Sequence, residues 1–304
     1  MKKVVITGAS SFIGRNLMNY AKDLWEITAV VRRQSDIEGI PAGVKILRMN
    51  MAEYDRLGQE AGSCDCLVHL AWQGTRGSDR MDAAMQKEDL NGSLKGIDSV
   101  LEKGCGRVVL AGSQAEYGPH SEKITEETEC VPNTEYGKAK LKLHTELIKK
   151  MQTRGTAYKT ARFFSLYGPG DAANTMIMAT LQKMLSGESC PFTAGTQMWD
   201  YLHIDDAIKA LYRLCVEDCA DGAYNFGSGD VRTLRQYIEE MARITQSRSE
   251  LCFGAVPYAE TGMVSLWPDV EKLKREVHWM PEVSFEQGIL SILKHWGNSS
   301  RLDR

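Results

Sequence analysis

The chain has 304 residues, 43% of them hydrophobic, with a formal net charge of −3 and a sequence pI near 6.1. This balance excludes a nucleic-acid partner held by a basic surface, and no apolar run approaches a membrane span, so a cytoplasmic location is the expectation. The eight cysteines form no CxxC pair and no Cys/His cluster with zinc spacing, so they read as reduced, mostly buried thiols and no metal is expected. Val4-Val5-Ile6 is an apolar, β-branched run suited to a strand buried on both faces. Small residues follow from Thr7 to Gly14, and then a stretch with helical periodicity. Further strands are predicted over 26–31, 44–49, 66–70, 107–111 and 158–164, with helices between them, the longest over 82–103 and 136–154. Strands alternating with helices through the first 165 residues indicate an α/β fold, a doubly wound parallel sheet. After Tyr167-Gly168-Pro169-Gly170 the rhythm changes. A helix over 176–187 precedes TAGTQMWDYLHIDDA, where Asp205 or Asp206 can cap the next helix. Helices over 233–245 and 285–296 close the chain. The absence of repeats and low-complexity linkers favours two interleaved domains. The expected division gives residues 1–165 plus about 198–230 to a dinucleotide-binding domain, and about 166–197 plus 231–304 to a smaller substrate-binding domain.

Strand, small-residue turn and helix present free backbone N–H groups to a phosphate. Gly8 lets the turn close and Gly14 lets the helix pack against the sheet, with Ser10, Ser11, Phe12 and Ile13 between them. The usual middle glycine of such a turn falls at Ser11, which still permits close approach and adds a hydroxyl. At the end of the second predicted strand, where an acidic residue would favour an unphosphorylated ribose, the chain has Arg32 and Arg33. Guanidinium groups suit a 2′-phosphate, so NADP is expected over NAD.

Tyr136 and Lys140 stand four apart, on one face of a predicted helix. An ammonium group beside a phenol stabilises the phenolate and brings its proton within working range. Ser113 lies just beyond the fifth predicted strand, at the ligand edge of the sheet, and can hydrogen-bond the oxygen that Tyr136 protonates. His69 in a buried strand and His203 beside a helix start read as structural, and the other four histidines join no constellation.

With these motifs in place, the chain resembles the extended short-chain dehydrogenase/reductase family, which contains nucleotide-sugar epimerases, dehydratases and ketoreductases. The resemblance is carried by TGASSFIG, DCLVHLA, AGSQAEYG, YGKAK, ARFFSLYGPG, MWDYLHIDDA, YNFGSG and VEKLKREVHWMP, and it spans essentially the whole chain. It implies a Rossmann fold and the catalytic set Ser113, Tyr136 and Lys140. Lys140 would also hold the nicotinamide ribose, Leu70 and Ala71 would lie along the cofactor, and the turn from Gly8 to Ile13 would surround its pyrophosphate. A two-fold homodimer is implied as well, with Leu141, Leu143, Leu147 and Ile148 available on the helix that carries Tyr136.

The departures fall on the substrate side. Ser165 stands where an asparagine is common, Trp199 precedes Asp200-Tyr201 where an arginine is common, and no arginine is found near Ala259. Arg76 and Arg80, in the loop after the fourth strand, are candidates to take over a substrate diphosphate. Gln114, Ser165, Trp199 and Arg76 are the substrate-binding candidates. Asp89 stands near where the family usually has an asparagine. The expected function is NADPH-dependent reduction of a keto-sugar, nucleotide-linked, with Tyr136 as proton donor. The first alternative is a 4-epimerase using the same three residues on a retained NAD(P). A dehydratase would need an acid near Gln114 and Ala115, and only Glu116 keeps that reading open. A non-catalytic NADP-sensing protein is the alternative of another class.

Overall fold

The computed structural model describes residues 1–258 and 264–302, so the expectation about Ala259 lies outside the described residues. The chain opens with β1 (Lys2–Thr7), α1 (Phe12–Ala21), β2 (Trp25–Val31) and β3 (Lys45–Arg48). A 3-10 turn over Met51–Arg56 leads to α2 (Leu57–Ala61) and β4 (Cys66–His69). Then come α3 (Ala83–Glu102), β5 (Arg107–Ser113), α4 (Glu135–Arg154) and β6 (Ala157–Phe163). The second half contains β7 (Ser165–Tyr167), α5 (Met176–Ser186), β8 (Cys190–Phe192), β9 (Met198–Trp199) and β10 (Tyr201–His203). It ends with α6 (Ile204–Val216), β11 (Gly222–Phe226), β12 (Arg232–Thr233), α7 (Leu234–Thr245), β13 (Leu251–Phe253), α8 (Glu271–Val277) and α9 (Phe285–Leu302).

Seven strands form one parallel sheet in the order β11-β6-β5-β4-β1-β2-β3. The unbroken apolar run of β1 is explained by helices on both faces. Val4 and Ile6 pack with Leu17, Met18, Leu211 and Leu214 of α1 and α6. Val5, one residue out of phase, packs with Ile97, Val100, Leu143 and Leu147 of α3 and α4. Leu143 and Leu147 are therefore committed to the core and cannot serve a dimer interface; Leu141 and Ile148 remain partly exposed on the same helix. No helix among the described residues is long and apolar enough to cross a membrane.

A separate apolar core lies beside the C-terminal half, where Ile177, Leu181, Tyr237, Ile238 and Ile289 meet Tyr167 and Phe285. The cap of α6 differs from expectation. His203 occupies the cap position and its ring accepts from the Asp205 N–H at 3.3 Å, whereas Asp206, already inside the helix, points inward. The Asp206 carboxylate accepts from the backbone N–H groups of Glu282 and Val283, at 2.9 and 2.8 Å, and ties α6 to the segment entering α9.

Where β5 ends beside β6, a buried ion pair fixes the chain. Glu116 Oε2 accepts from Arg162 Nε at 2.8 Å, with side-chain exposures of 0% and 4%, and Glu116 Oε1 accepts from the Ser113 backbone N–H at 2.8 Å. Removing one member of a buried pair leaves the other charge uncompensated, which typically costs about 3–5 kcal/mol. Glu116→Ala is expected to lose that much stability, read as a lower urea midpoint with an unchanged slope.

Candidate active site

The parallel sheet brings the ends of β1, β2, β4, β5 and β6 to one edge, and two adjoining cavities open there. The first, of about 790 Å³, lies over the turn after β1. Gly8 has φ +65°, and a Cβ there would stand 2.7 Å from the Ala71 backbone nitrogen, so only glycine lets the turns after β1 and β4 approach this closely. Gly14 lies off the cavity; a Cβ on it would meet the carbonyl oxygens of Gly8 and Ala9 at 2.6 Å. Ser11 caps α1, its hydroxyl accepting from the Gly14 N–H at 3.1 Å. The hydroxyl that Ser11 adds to the turn is thus a helix cap.

Gly8, Ser10, Ser11, Leu70 and Ala71 line this first cavity, and so does Arg32. Arg33 does not. Its guanidinium is turned onto the 3-10 turn, where Nε donates to Glu53 Oε2 at 3.0 Å. That bond pulls the Glu53 carboxyl down to about 2. Of the two arginines expected at a ribose phosphate, the geometry leaves Arg32. Phe12 and Ile13 sit on the wall of the second cavity instead, where Ser11 and Leu70 continue the surface of the first.

The second cavity, of about 550 Å³, gathers Ser113, Tyr136 and Lys140 together with Gln114, Ser165, Trp199 and Arg76. Ser113 is the last residue of β5, and its Oγ accepts from the Ala115 N–H at 3.2 Å. Thr134 caps α4 by accepting from the Gly137 N–H at 3.0 Å, which starts the helix so that Tyr136 and Lys140 both face the sheet edge. Both side chains are buried, with residue exposures of 7% and 4%. Lys140 Nζ donates to the Ala111 carbonyl at 3.0 Å and lies 3.9 Å from the centroid of the Trp72 ring. Burial pushes its ammonium down to about 8, against the opposing charges of Glu116 and Asp89. Burial pushes the Tyr136 phenol up, while the Ser113 hydroxyl and the Arg80 guanidinium pull it back.

Trp72 was not foreseen as a site residue, yet it lines both cavities. Its indole Nε1 donates to Gln86 Oε1 at 2.8 Å, and Gln86 in turn donates to the carbonyls of Gly74 and Asp79 at 2.9 and 3.0 Å. The only signal in the sequence is a large aromatic directly after a buried strand. Asn50 and Lys95 also line the first cavity and carried no recognisable motif.

Two further residues find structural roles. Both Glu116 oxygens are spent on Arg162 and Ser113, so the one acid that kept a dehydratase reading open is unavailable to a substrate. Asp89 accepts from the backbone and side-chain N–H groups of Gln73 at 2.7 and 3.2 Å, and burial pushes its carboxyl up. It anchors the loop after β4 to α3. No group of three or more His, Cys, Asp or Glu among the described residues could hold a metal.

A family model described as the NAD dependent epimerase/dehydratase family matches residues 4–227. Over 315 aligned positions the chain is 24% identical to GDP-6-deoxy-D-mannose reductase of Pseudomonas aeruginosa, covering 99% of each protein. Among solved structures, UDP-glucose 4-epimerase of Thermotoga maritima with UDP-glucose superposes with a TM-score of 0.89 at 20% identity, covering 98% of this chain and 99% of that one. RMD of Pseudomonas aeruginosa complexed with NADPH gives a TM-score of 0.82 at 22% identity, covering 98% and 100%. At these identities the structural likeness carries the fold. Because the family model extends over most of the chain, from β1 to the residue after β11, this protein belongs to the NAD dependent epimerase/dehydratase family, as its motifs implied.

Proposed function

We propose that the protein is an NADPH-dependent ketoreductase acting on a keto-sugar carried by a nucleotide. The observation that carries this reading is the convergence of Ser113, Tyr136 and Lys140 on the wall of the second cavity, which adjoins the first cavity over the turn after β1. One solved neighbour is complexed with NADPH and others with NAD, and one relative is by its name a reductase of a GDP-linked deoxysugar. The turn fits such a cofactor, since Gly8, with no Cβ to strike the Ala71 backbone, lets the turns after β1 and β4 close together along the first cavity. The Gly8–Ser11 turn and the first turn of α1 would hold its pyrophosphate, Arg32 the adenine-ribose phosphate, and Lys140 the nicotinamide ribose. When bound, the cofactor supplies the reducing equivalent.

The protein's own residues then manage the proton. Ser113 Oγ accepts from the Ala115 N–H, and its hydroxyl hydrogen, directed to Tyr136, would turn to the substrate carbonyl oxygen. Tyr136 Oη gives its proton to that same oxygen, completing the alcohol and leaving a phenolate. Lys140, with one N–H spent on Ala111, has two left for the ribose and for stabilising the phenolate. A 4-epimerase would use the same three groups in both directions on one carbon. Net consumption of NADPH distinguishes the two, and turnover of any kind excludes a non-catalytic NADP sensor.

Tyr136→Phe keeps the ring and its packing but removes the acidic hydrogen. Single-turnover rates on a keto-sugar should fall roughly 10²–10⁴-fold with cofactor affinity intact. Ser113→Ala should lower the rate with little change in cofactor binding, and Lys140→Met should weaken both. Because the Lys140 ammonium titrates near 8, cofactor affinity should decline as pH rises above that value, and the decline should vanish in Lys140→Met. Near-normal chemistry in Tyr136→Phe would refute the mechanism.

Cofactor choice rests on Arg32. Losing a charge-assisted contact costs about 1.5–3 kcal/mol, so Arg32→Ala should weaken NADPH about 10- to 100-fold in calorimetric titration while leaving NADH unchanged. Assembly follows from the partly exposed Leu141 and Ile148 on α4 and Leu90 and Leu94 on the neighbouring α3. We expect a two-fold dimer through these helices, read by equilibrium sedimentation at micromolar concentration.

A further inference from the structure

The loop after β4 carries two arginines that differ in one respect. Arg76 is already paired: its guanidinium donates to Asp171 at 3.4 Å and to Asn174 at 3.3 Å, bridging to the segment after β7. Arg80 has no carboxylate partner among the described residues. Its sole hydrogen bond there is a long one, 3.5 Å, to the Thr75 carbonyl. It closes the 3-10 turn Gly77–Met81, is half-buried, and its guanidinium carbon stands 4.7 Å above the centroid of the Tyr136 ring. The fork therefore lines the second cavity with most of its five donors unused.

Charge in this cavity is unbalanced in the same direction. Among the described residues, Asp171 is the one carboxylate on its wall, and it is spent on Arg76 and on the Ala172 N–H, at 2.7 Å. Lys140, the third cation on the wall, faces the Ala111 carbonyl and the Trp72 ring and is allotted to the ribose. A half-buried guanidinium beside the Tyr136 ring, with open donors and no counter-charge among the described residues, is a receptor for a planar or tetrahedral anion.

We propose that Arg80 receives an anionic group of the substrate next to the reacting carbon. The anion is either a carboxylate on the sugar ring or the near end of its diphosphate. The proposal rests on the reading that the second cavity receives the sugar. It makes Arg80 a residue that selects among substrates. Arg80→Lys would keep the charge but lose the bidentate fork.

The test uses anion probes rather than turnover, so it stands apart from the fate of the ketoreductase reading. The full-length protein, saturated with NADP+ to fill the phosphate-binding turn, is titrated calorimetrically with inorganic pyrophosphate, D-glucuronate and D-glucose. One of the two anions is expected to bind at least about tenfold more tightly to the unaltered protein than to Arg80→Gln, with Arg80→Lys between them and D-glucose indifferent to the substitution. Preference for pyrophosphate assigns Arg80 to the diphosphate; preference for D-glucuronate assigns it to a ring carboxylate. Retained NADP+ affinity in Arg80→Gln controls for folding. Equal anion affinity in all three proteins, or no anion binding to the unaltered one, would overturn the proposal.

Discussion

The contact on which this architecture depends is the close approach of the turns after β1 and β4. Backbone meets backbone at Gly8 and Ala71, and a buried polar chain locks them together. Ser93 donates to the Asp89 carbonyl at 2.7 Å, so it must accept from His69 Nε2, which is 2.8 Å away. The other ring nitrogen, Nδ1, then accepts from the Thr7 hydroxyl, also at 2.8 Å, and Thr7 Oγ1 in turn accepts weakly from the Ala71 N–H. Burial pushes the His69 imidazole down to about 3, so it stays neutral and keeps one fixed tautomer across the working range. Each member has a partner, which is the condition under which a buried polar network rigidifies a fold. The approach of Gly8 and Ala71 along the first cavity follows from this lock.

Electrostatics in the second cavity follow from what burial does to each group. Desolvation pushes the Tyr136 phenol up and the Lys140 ammonium down, so burial favours the neutral form of each. Glu116 and Asp89 oppose the shift at Lys140 without touching it, each held by other donors. The carboxylates act through the field alone. An acid left free at either position would compete for the proton that the proposed mechanism takes from Tyr136.

What the sequence disclosed is what backbone geometry enforces. The parallel sheet, the turn at Gly8 and the helix that begins at Tyr136 all follow from periodicity, small residues and a four-residue spacing. These features recur wherever a strand must hand over to a helix at a ligand edge. Side-chain choices between alternative partners were not legible. Arg32 and Arg33 are equivalent as letters, yet only Arg32 faces the cavity, because Glu53 in the following turn captures its neighbour. Asp205 and Asp206 were both plausible caps, and the structure uses His203, because Asp206 is needed at the entry to α9. Leu143 and Leu147 looked available for an interface until the second layer of helices covered them.

The same distinction explains why the substrate side resists reading. Its wall is assembled from positions far apart in sequence, and their roles depend on which neighbour each polar group finds first. Trp72 is the clearest case. A tryptophan after a buried strand is unremarkable by itself, and it becomes part of the site only because Gln86, one turn into α3, holds its indole N–H. Gln86 can do so because Gly74 and Asp79 satisfy its amide from the same loop. The indole then presents its face to Lys140 and stands nearly perpendicular to the Tyr136 ring, at an interplanar angle of 81°, and its surface borders both cavities. One side chain thereby couples the shape of the loop after β4 to the placement of the ammonium. A change anywhere in that loop would reach the proposed proton donor through packing, without altering any residue that touches the reacting oxygen.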